Sequence, residues 1–405
     1  MNAPTNFRAR VSVMKLLDSL RPEPHFPMSA MVEVADRCNE TCVHCYQIQG
    51  QKGELDTDEW RTIFDELAEM GVLVLTISGG EPTLRKDFLE LVAYARKKRF
   101  AVKLFTNGLN MTQPVASRLG ELAVQEVQIS LYSHDPQVHD GVTCVPGSFD
   151  KTIKSVRLLR AANVPVVLKT PVMKLNAGAV DEYVALVSSL GADYMMDSTI
   201  DPRENGDASP EALRVDDDTY LETRQHEQLA SDRTFEERPL KSSVCGACSG
   251  HVHIEANGEM RPCTQLQVPV GHALTDGVRH AWAHNEAGRS IRETTWEDLH
   301  ACRQCDLRSF CGRCFATARA EVGDALAPYP SACRKARLNY QVERGVAPRI
   351  TGEDRGLGPY RELAEGEFES FAVNDDGSRA TPLWAHPPEE LVQLRLRSVS
   401  ASPED

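Results

Sequence analysis

No apolar run in this 405-residue sequence approaches the roughly 20 residues that span a bilayer. The N-terminus (MNAPTNFRARVSVMKLLDSL) also lacks an apolar stretch followed by a small-residue cleavage site. The reading is therefore a cytoplasmic protein with no membrane partner. Positive charge is in deficit as well, with 45 Lys and Arg against 59 Asp and Glu and a formal net charge of −14. Such a chain has no overall attraction to phosphate backbones, and nucleic acid is not expected as a partner. What the sequence has in quantity is cysteine. Twelve cysteines without a secretion signal point to metal ligands, because the cytosol keeps thiols reduced. Three stand at 38 to 45, one at 144, and eight crowd between 245 and 333.

From about residue 28 to 200 short apolar runs alternate with helix-patterned segments, the mark of repeated βα units and a parallel sheet. Six strands are expected: Met31 to Ala35, Val72 to Ser78, Val102 to Thr106, Val127 to Leu131, Val164 to Lys169 and Asp193 to Asp197. Their near-continuous apolar character predicts strands buried on both faces. Trp60, Ile63, Phe64 and Leu67 repeat at i, i+3, i+4 and i+7, as do Phe88, Leu91, Val92 and Ala95, and Val180, Tyr183, Val184 and Val187. Asp56 and Glu59 fit a capping box before the first of these helices. The fold class is α/β, a partial (β/α)6 barrel of the TIM type, followed by a cysteine-rich C-terminal domain. The division expected is 1–27 as an N-terminal extension, 28–200 as the barrel, and 201–240 as a linker with a bridging helix. Residues 241–340 form the cysteine-rich domain and 341–405 a polar tail.

Cys38, Cys42 and Cys45 follow the first expected strand, at the end where barrels of this kind keep their active sites. Three thiolates at this spacing reach three irons of one iron–sulfur cube and leave the fourth iron open to a chelating ligand. A zinc knot with His44 as fourth ligand is the alternative from spacing alone. In SGGEP, Ser78 to Pro82, two glycines let the backbone approach a ligand, and Glu81 can accept hydrogen bonds from an ammonium.

DRCNETCVHCY (Asp36 to Tyr46) and SGGEP together resemble the signatures of the radical S-adenosylmethionine (SAM) superfamily, with Tyr46 as the aromatic residue after the third cysteine. The resemblance implies a [4Fe–4S] cluster with an open iron on Cys38, Cys42 and Cys45. It also implies S-adenosylmethionine held by Ser78, Gly79, Gly80, Glu81 and Pro82, and an electron from flavodoxin or ferredoxin. The implied chemistry is reductive cleavage of that cofactor to a 5′-deoxyadenosyl radical, which takes a hydrogen atom from the substrate. Thr106 and Asn107 at the third strand end, Ser130 at the fourth and Lys169 at the fifth are expected near the ribose, the carboxylate or the substrate. Ordinary turn polarity would explain them equally.

The eight later cysteines comprise the CxxC pair Cys245 and Cys248, then Cys263, the CxxC pair Cys302 and Cys305, CGRC with Cys311 and Cys314, and Cys333. Eight ligands suit two four-cysteine clusters, although two structural zinc sites would use the same number. The set resembles the SPASM extension of radical SAM enzymes. Carried over from that family, one auxiliary cluster uses Cys245, Cys248, Cys263 and Cys314, and the second uses Cys302, Cys305, Cys311 and Cys333, whereas spacing alone would pair neighbours. His251 and His253 are read as strand residues, and Cys144 as a buried thiol.

Thr264 stands where sulfatase-maturing relatives carry an aspartate base, which argues against that activity. The leading expectation is maturation of a ribosomally made precursor peptide, forming a thioether or carbon–carbon crosslink. The stretch before the first strand is too short for a built-in recognition domain, so a separate recognition protein or direct docking is expected. CGRC followed by GDALAPYP also resembles relatives that trim haem side chains, which keeps a tetrapyrrole or other small-cofactor substrate as the alternative. A non-catalytic, metal-stapled interaction protein is the reading from a different class.

Overall fold

A computed structural model describes residues 27–231, 237–345 and 383–385. Nearly all of the expected N-terminal extension, and most of the expected tail, lie outside the described residues. Six parallel strands form where the apolar runs predicted them: β1 (Ser29–Ala35), β2 (Val74–Gly79), β3 (Ala101–Thr106), β4 (Glu126–Ser130), β5 (Val166–Pro171) and β6 (Asp193–Asp197). Three more follow, β7 (His251–Ile254), β8 (Glu259–Arg261) and β9 (Gly271–His272). All nine belong to one sheet in the order β6-β5-β4-β3-β2-β1-β7-β8-β9. The cysteine-rich region thus extends the barrel sheet: β7 runs parallel to β1, with Ser29 opposite His251 and Val32 opposite Ile254. The hairpin of β8 and β9 continues antiparallel.

Helices α1 (Thr57–Glu69), α2 (Phe88–Lys97), α3 (Gln113–Glu121), α4 (Pro136–Thr143), α5 (Ser148–Ala161) and α6 (Val180–Ser189) connect the strands. Asp56 caps α1 by accepting from the Asp58 and Glu59 N–H groups, while the Glu59 carboxylate accepts from the Asp56 N–H. Trp60, Ile63, Phe64 and Leu67 of α1 lie fully buried with Ala30, Val32 and Val34 of β1 in one continuous core. Burying side chains of this size contributes about 1.5–3 kcal/mol each.

Burial on both faces holds for β4 and for most of β1 and β5, but the second face is not uniformly apolar. In β1 the alternate positions are Met31 and Glu33, and β3 alternates half-buried with buried residues from end to end. The second face of the sheet lines a cavity, so it carries polar groups that must be hydrogen-bonded or paired once buried. Gln128 donates to Glu126 at 2.6 Å, and Lys103 pairs with Glu126 at 3.1 Å.

Beyond β6, residues 201–207 pack on the cysteine loop, and α7 (Asp217–Ser231) follows. The cysteine-rich region carries α8 (Val278–His284), α9 (Glu286–Glu293), α10 (Phe315–Val322) and α11 (Pro330–Arg344). Trp384 returns from the tail, its indole N–H donating to Ser290 Oγ at 3.1 Å and its ring meeting Phe315 edge-on. Among the described residues no helix is long and apolar enough to cross a membrane.

Candidate functional site

The C-terminal ends of β1 to β6 surround a cavity of about 590 Å³. Cys38, Cys42 and Cys45 stand on one side of it, on the irregular loop after β1. Ser78, Gly79 and Gly80 form the adjoining wall, followed around the rim by Thr106, Asn107, Ser130 and Lys169, with Tyr46 also lining. The cysteine loop is tied down locally. The Thr41 and Val43 N–H groups donate to the carbonyls of Thr143 and Val142, and the Cys45 N–H to Cys42 at 3.0 Å. Asn107 Nδ2 donates to Asn39 Oδ1 at 2.7 Å and lies 3.8 Å from Cys38 Sγ.

Glu81 and Pro82 are fully or nearly fully buried and do not line the cavity. Their polar and steric work is behind the wall. The Glu81 carboxylate accepts from Thr106 Oγ1 and the Asn107 N–H, both at 2.8 Å, and from the N–H and hydroxyl of Thr83. This joins the ends of β2 and β3. Burial raises its carboxyl above the ordinary range, against these donors, which favour the ionised form.

Among the cavity residues, Glu40, Tyr132, Asp197, Asp201 and Gln265 carried no signal in the sequence. Glu40 accepts from Cys42 Sγ at 3.4 Å, and Tyr132 OH lies 3.7 Å from the same sulfur. Burial pushes Glu40 up to about 7. His44 packs edge-on against Tyr132, and burial holds its imidazole down at about 4. Asp197 and Asp201, from β6 and the turn after it, also line the cavity, as do Thr264 and Gln265 just after Cys263. Asp201 accepts from Thr317 Oγ1 at 2.9 Å, and burial raises its carboxyl. Lys169 has its ammonium 4.0 Å from the Phe105 ring centroid and is lowered by burial. Only the folding of distant strands brings these groups to one mouth.

All twelve cysteines are free. Burial pushes the Cys38 thiol up to about 12 and raises Cys42 and Cys45 as well. Three half-buried thiols converging on a cavity, without a fourth protein thiol among them, suit a cation-bearing cluster that keeps one metal position open. Of the remaining nine, all but Cys144 fall into two neighbourhoods. Cys248 lies in the field of Cys245 and Cys263, and both of those lie in the field of Cys314. Cys333 lies in the field of Cys311, Cys302 and Cys305. CGRC therefore divides, Cys311 facing one group and Cys314 the other. Between them Arg313 donates to the Ala327 carbonyl at 2.7 Å and to that of Ala325, with its guanidinium 3.7 Å from Cys302 Sγ.

Cys144 is exposed, not buried as expected. It caps α4 in a left-handed conformation (φ 58°) where the chain turns into Pro146 and Gly147, so its side chain points away from the core. His253 is buried on β7 with Nε2 3.7 Å from Glu33 Oε1, and His251 Nδ1 lies 2.9 Å from Ser29 Oγ.

The radical SAM superfamily model matches residues 32–187, and an iron–sulfur cluster-binding domain model, SPASM, matches residues 245–306. Mycofactocin maturase MftC of Mycobacterium tuberculosis is 31% identical over 325 residues, 75% of this chain and 82% of that protein. The chain belongs to the radical SAM superfamily. This radical SAM enzyme is also similar to AdoMet-dependent heme synthase of Methanosarcina barkeri, 28% identical over 74% of this chain and 94% of that protein. PqqA peptide cyclase of Rhodopseudomonas palustris is 27% identical over 85% of this chain and 96% of that protein. Solved structures share the fold. Streptococcus suis SuiB bound to precursor peptide SuiA superposes with TM-score 0.62 at 18% identity, covering 80% of each chain. Native anSMEcpe with bound AdoMet gives TM-score 0.61 at 15% identity, covering 79% of this chain and 97% of that one. The partial barrel with a C-terminal cysteine-rich region is the architecture of this family, and its cofactors are iron–sulfur clusters and S-adenosylmethionine.

Proposed function

We propose that this radical SAM enzyme matures a ribosomally made precursor peptide, with Cys38, Cys42 and Cys45 holding the [4Fe–4S] cluster that keeps an open iron. The observation that carries the reading is the single cavity onto which these three thiols and the Ser78–Gly80 wall converge. When bound, the cluster and S-adenosylmethionine supply reductive cleavage to a 5′-deoxyadenosyl radical and hydrogen abstraction. The chain's own part is to hold and shield. Gly79 and Gly80 lay bare backbone along one wall, Glu81 fixes the strand ends behind it, and Thr106, Asn107, Ser130 and Lys169 offer polar contacts around the rim. Asp197 and Asp201 add carboxylates to the cavity lining from β6 and the turn after it.

We assign one auxiliary cluster to Cys245, Cys248, Cys263 and Cys314 and the second to Cys302, Cys305, Cys311 and Cys333, on the strength of their two neighbourhoods. The barrel is taken as 28–200 and the auxiliary-cluster domain as 241–340. A peptide substrate is supported by the likeness to MftC and to PqqA peptide cyclase. Flavodoxin or ferredoxin is the proposed electron donor, a separate recognition protein the proposed partner, and the cytoplasm the proposed compartment.

A second reading, modification of a tetrapyrrole, rests on the likeness to AdoMet-dependent heme synthase along 94% of that protein. Anaerobic turnover with candidate peptides or tetrapyrroles carrying deuterium separates the two. Deuterium passing from a peptide into 5′-deoxyadenosine, with a mass change in the peptide, is expected. Transfer from a tetrapyrrole alone would replace the peptide reading, and reconstituted protein that binds zinc and little iron would end both.

A further inference from the structure

The loop from Cys38 to Ile48 has no regular secondary structure, so individual hydrogen bonds must set its shape. Its first half is anchored by the carbonyls of Val142 and Thr143 and by Asn107. The second half is gripped by the turn that leaves β6, at the edge of the sheet and five strand positions from β1. Arg203 Nη1 donates to the Cys45 carbonyl at 3.0 Å, and the Glu204 N–H donates to the Tyr46 carbonyl at 2.9 Å. The Glu204 carboxylate accepts from the Ile48 N–H at 2.7 Å and pairs with Lys52 Nζ at 2.6 Å. Lys52 also pairs with Glu255, just past β7, at 3.0 Å.

The turn is braced from within. The Arg203 N–H donates to the Asp207 carbonyl at 2.8 Å, the Gly206 N–H to the Arg203 carbonyl at 2.9 Å, and Arg203 Nε pairs with Asp207 at 3.2 Å. Neither Arg203 nor Glu204 lines the cavity, whereas Asp201, two residues upstream, does. Charge-assisted hydrogen bonds to backbone are among the stronger polar contacts in proteins. Here they fall on the carbonyl of the third cysteine and on the Ile48 N–H three residues later. A displacement of this arm by an ångström would move a thiol and the aromatic residue beside it together.

Building on the proposed open-iron cluster, we propose that Arg203 and Glu204 are positioning residues, which set the Cys45–Ile48 arm of the cofactor loop from outside the cavity. Through the same turn, the cavity wall at Asp201 and the cofactor loop move as one unit.

The test compares full-length reconstituted wild type with Glu204→Ala and Glu204→Gln, reading S-adenosylmethionine affinity and the EPR spectrum of reduced protein before and after the cofactor is added. Glu204→Ala should weaken cofactor binding about ten-fold or more, which corresponds to about 1.4 kcal/mol. It should also alter the cofactor-induced change in the open-iron signal while the auxiliary signals stay as in wild type. Glu204→Gln keeps an acceptor for the Ile48 N–H and should fall between the two. Wild-type affinity and spectrum in Glu204→Ala would overturn the inference. Equal loss of all cluster signals in both variants would also overturn it, by reducing Glu204 to general stability. Absence of any cofactor-responsive signal in wild type would instead refute the proposed open-iron site, and the positioning role with it.

Discussion

Replacing Gly80 with alanine should disable the cofactor loop without changing any of the cysteines proposed to hold the cluster. A Cβ on Gly80 would stand 2.4 Å from the Arg37 carbonyl oxygen, 2.7 Å from its carbon and 3.1 Å from the Cys38 nitrogen. All three are backbone atoms, so no side chain can rotate away. Restoring a contact of about 3.4 Å requires the Arg37–Cys38 segment to retreat by roughly 1 Å. That movement also strains the hydrogen bonds of the Gly80 N–H to Ala35 at 2.7 Å and of the Glu81 N–H to Arg37 at 2.9 Å. Overpacking of this kind costs about 1–3 kcal/mol. Misplacement of a reacting group by about an ångström lowers turnover by roughly 10²-fold. The assay is dithionite-driven formation of 5′-deoxyadenosine, alongside iron and sulfide content and the melting temperature. Gly178→Ala, where an added Cβ meets nothing within 4 Å, is the control. Expected is a fall of about two orders of magnitude for Gly80→Ala, with the folded protein retained and the control at the wild-type rate. A Gly80→Ala rate within a factor of two or three of wild type would refute the packing argument.

Cys314→Ser should remove about one cluster's worth of iron and leave the group around Cys302, although Cys314 is only three residues from Cys311. Iron quantification with EPR would show it, and loss of both auxiliary signals together would contradict the two neighbourhoods. Cys144→Ser should leave iron content and 5′-deoxyadenosine formation unchanged, because the residue is exposed and outside all three groups; any fall in iron would refute this. Burial raises Glu33 from its ordinary 4.5 to about 8. Folding therefore favours its protonated form, and the stability that this confers is lost as pH rises from about 4.5 through 8. Glu33→Gln, neutral at every pH and still able to meet Gln47, should gain melting temperature relative to wild type across that window. A difference that does not vary with pH would sink the assignment.

The six barrel strands, their capped helix α1 and the cofactor loop were legible in the sequence because each depends on neighbours close along the chain. CxxxCxxC brings three thiols within eight residues, and SGGEP must follow a strand end to be useful. Strand edges differed by at most two residues, and where they differed it was because hydrogen-bonded pairing, not apolar character, ends a strand. The polar inner face at Glu33, Lys103, Glu126 and Gln128 was not legible. Those residues share strand faces with Met31, Phe105 and Ser130, which line the cavity, and only the assembled sheet sets them together on one inner face.

The sequence by itself determined the kind of enzyme: a soft-ligand triplet after the first strand of a βα repeat, with enough further cysteines for two more clusters. Tertiary structure decided everything that depends on which distant segments meet. It divided Cys311 from Cys314, exposed Cys144, put Glu81 behind the cavity wall, and carried Asp201, Arg203 and Glu204 from an apparent linker to the cofactor loop. Sequence spacing restricts reach, but direction is settled only when the chain has packed. A thiol three residues from another can face a different neighbourhood because the intervening Arg313 anchors the turn between them.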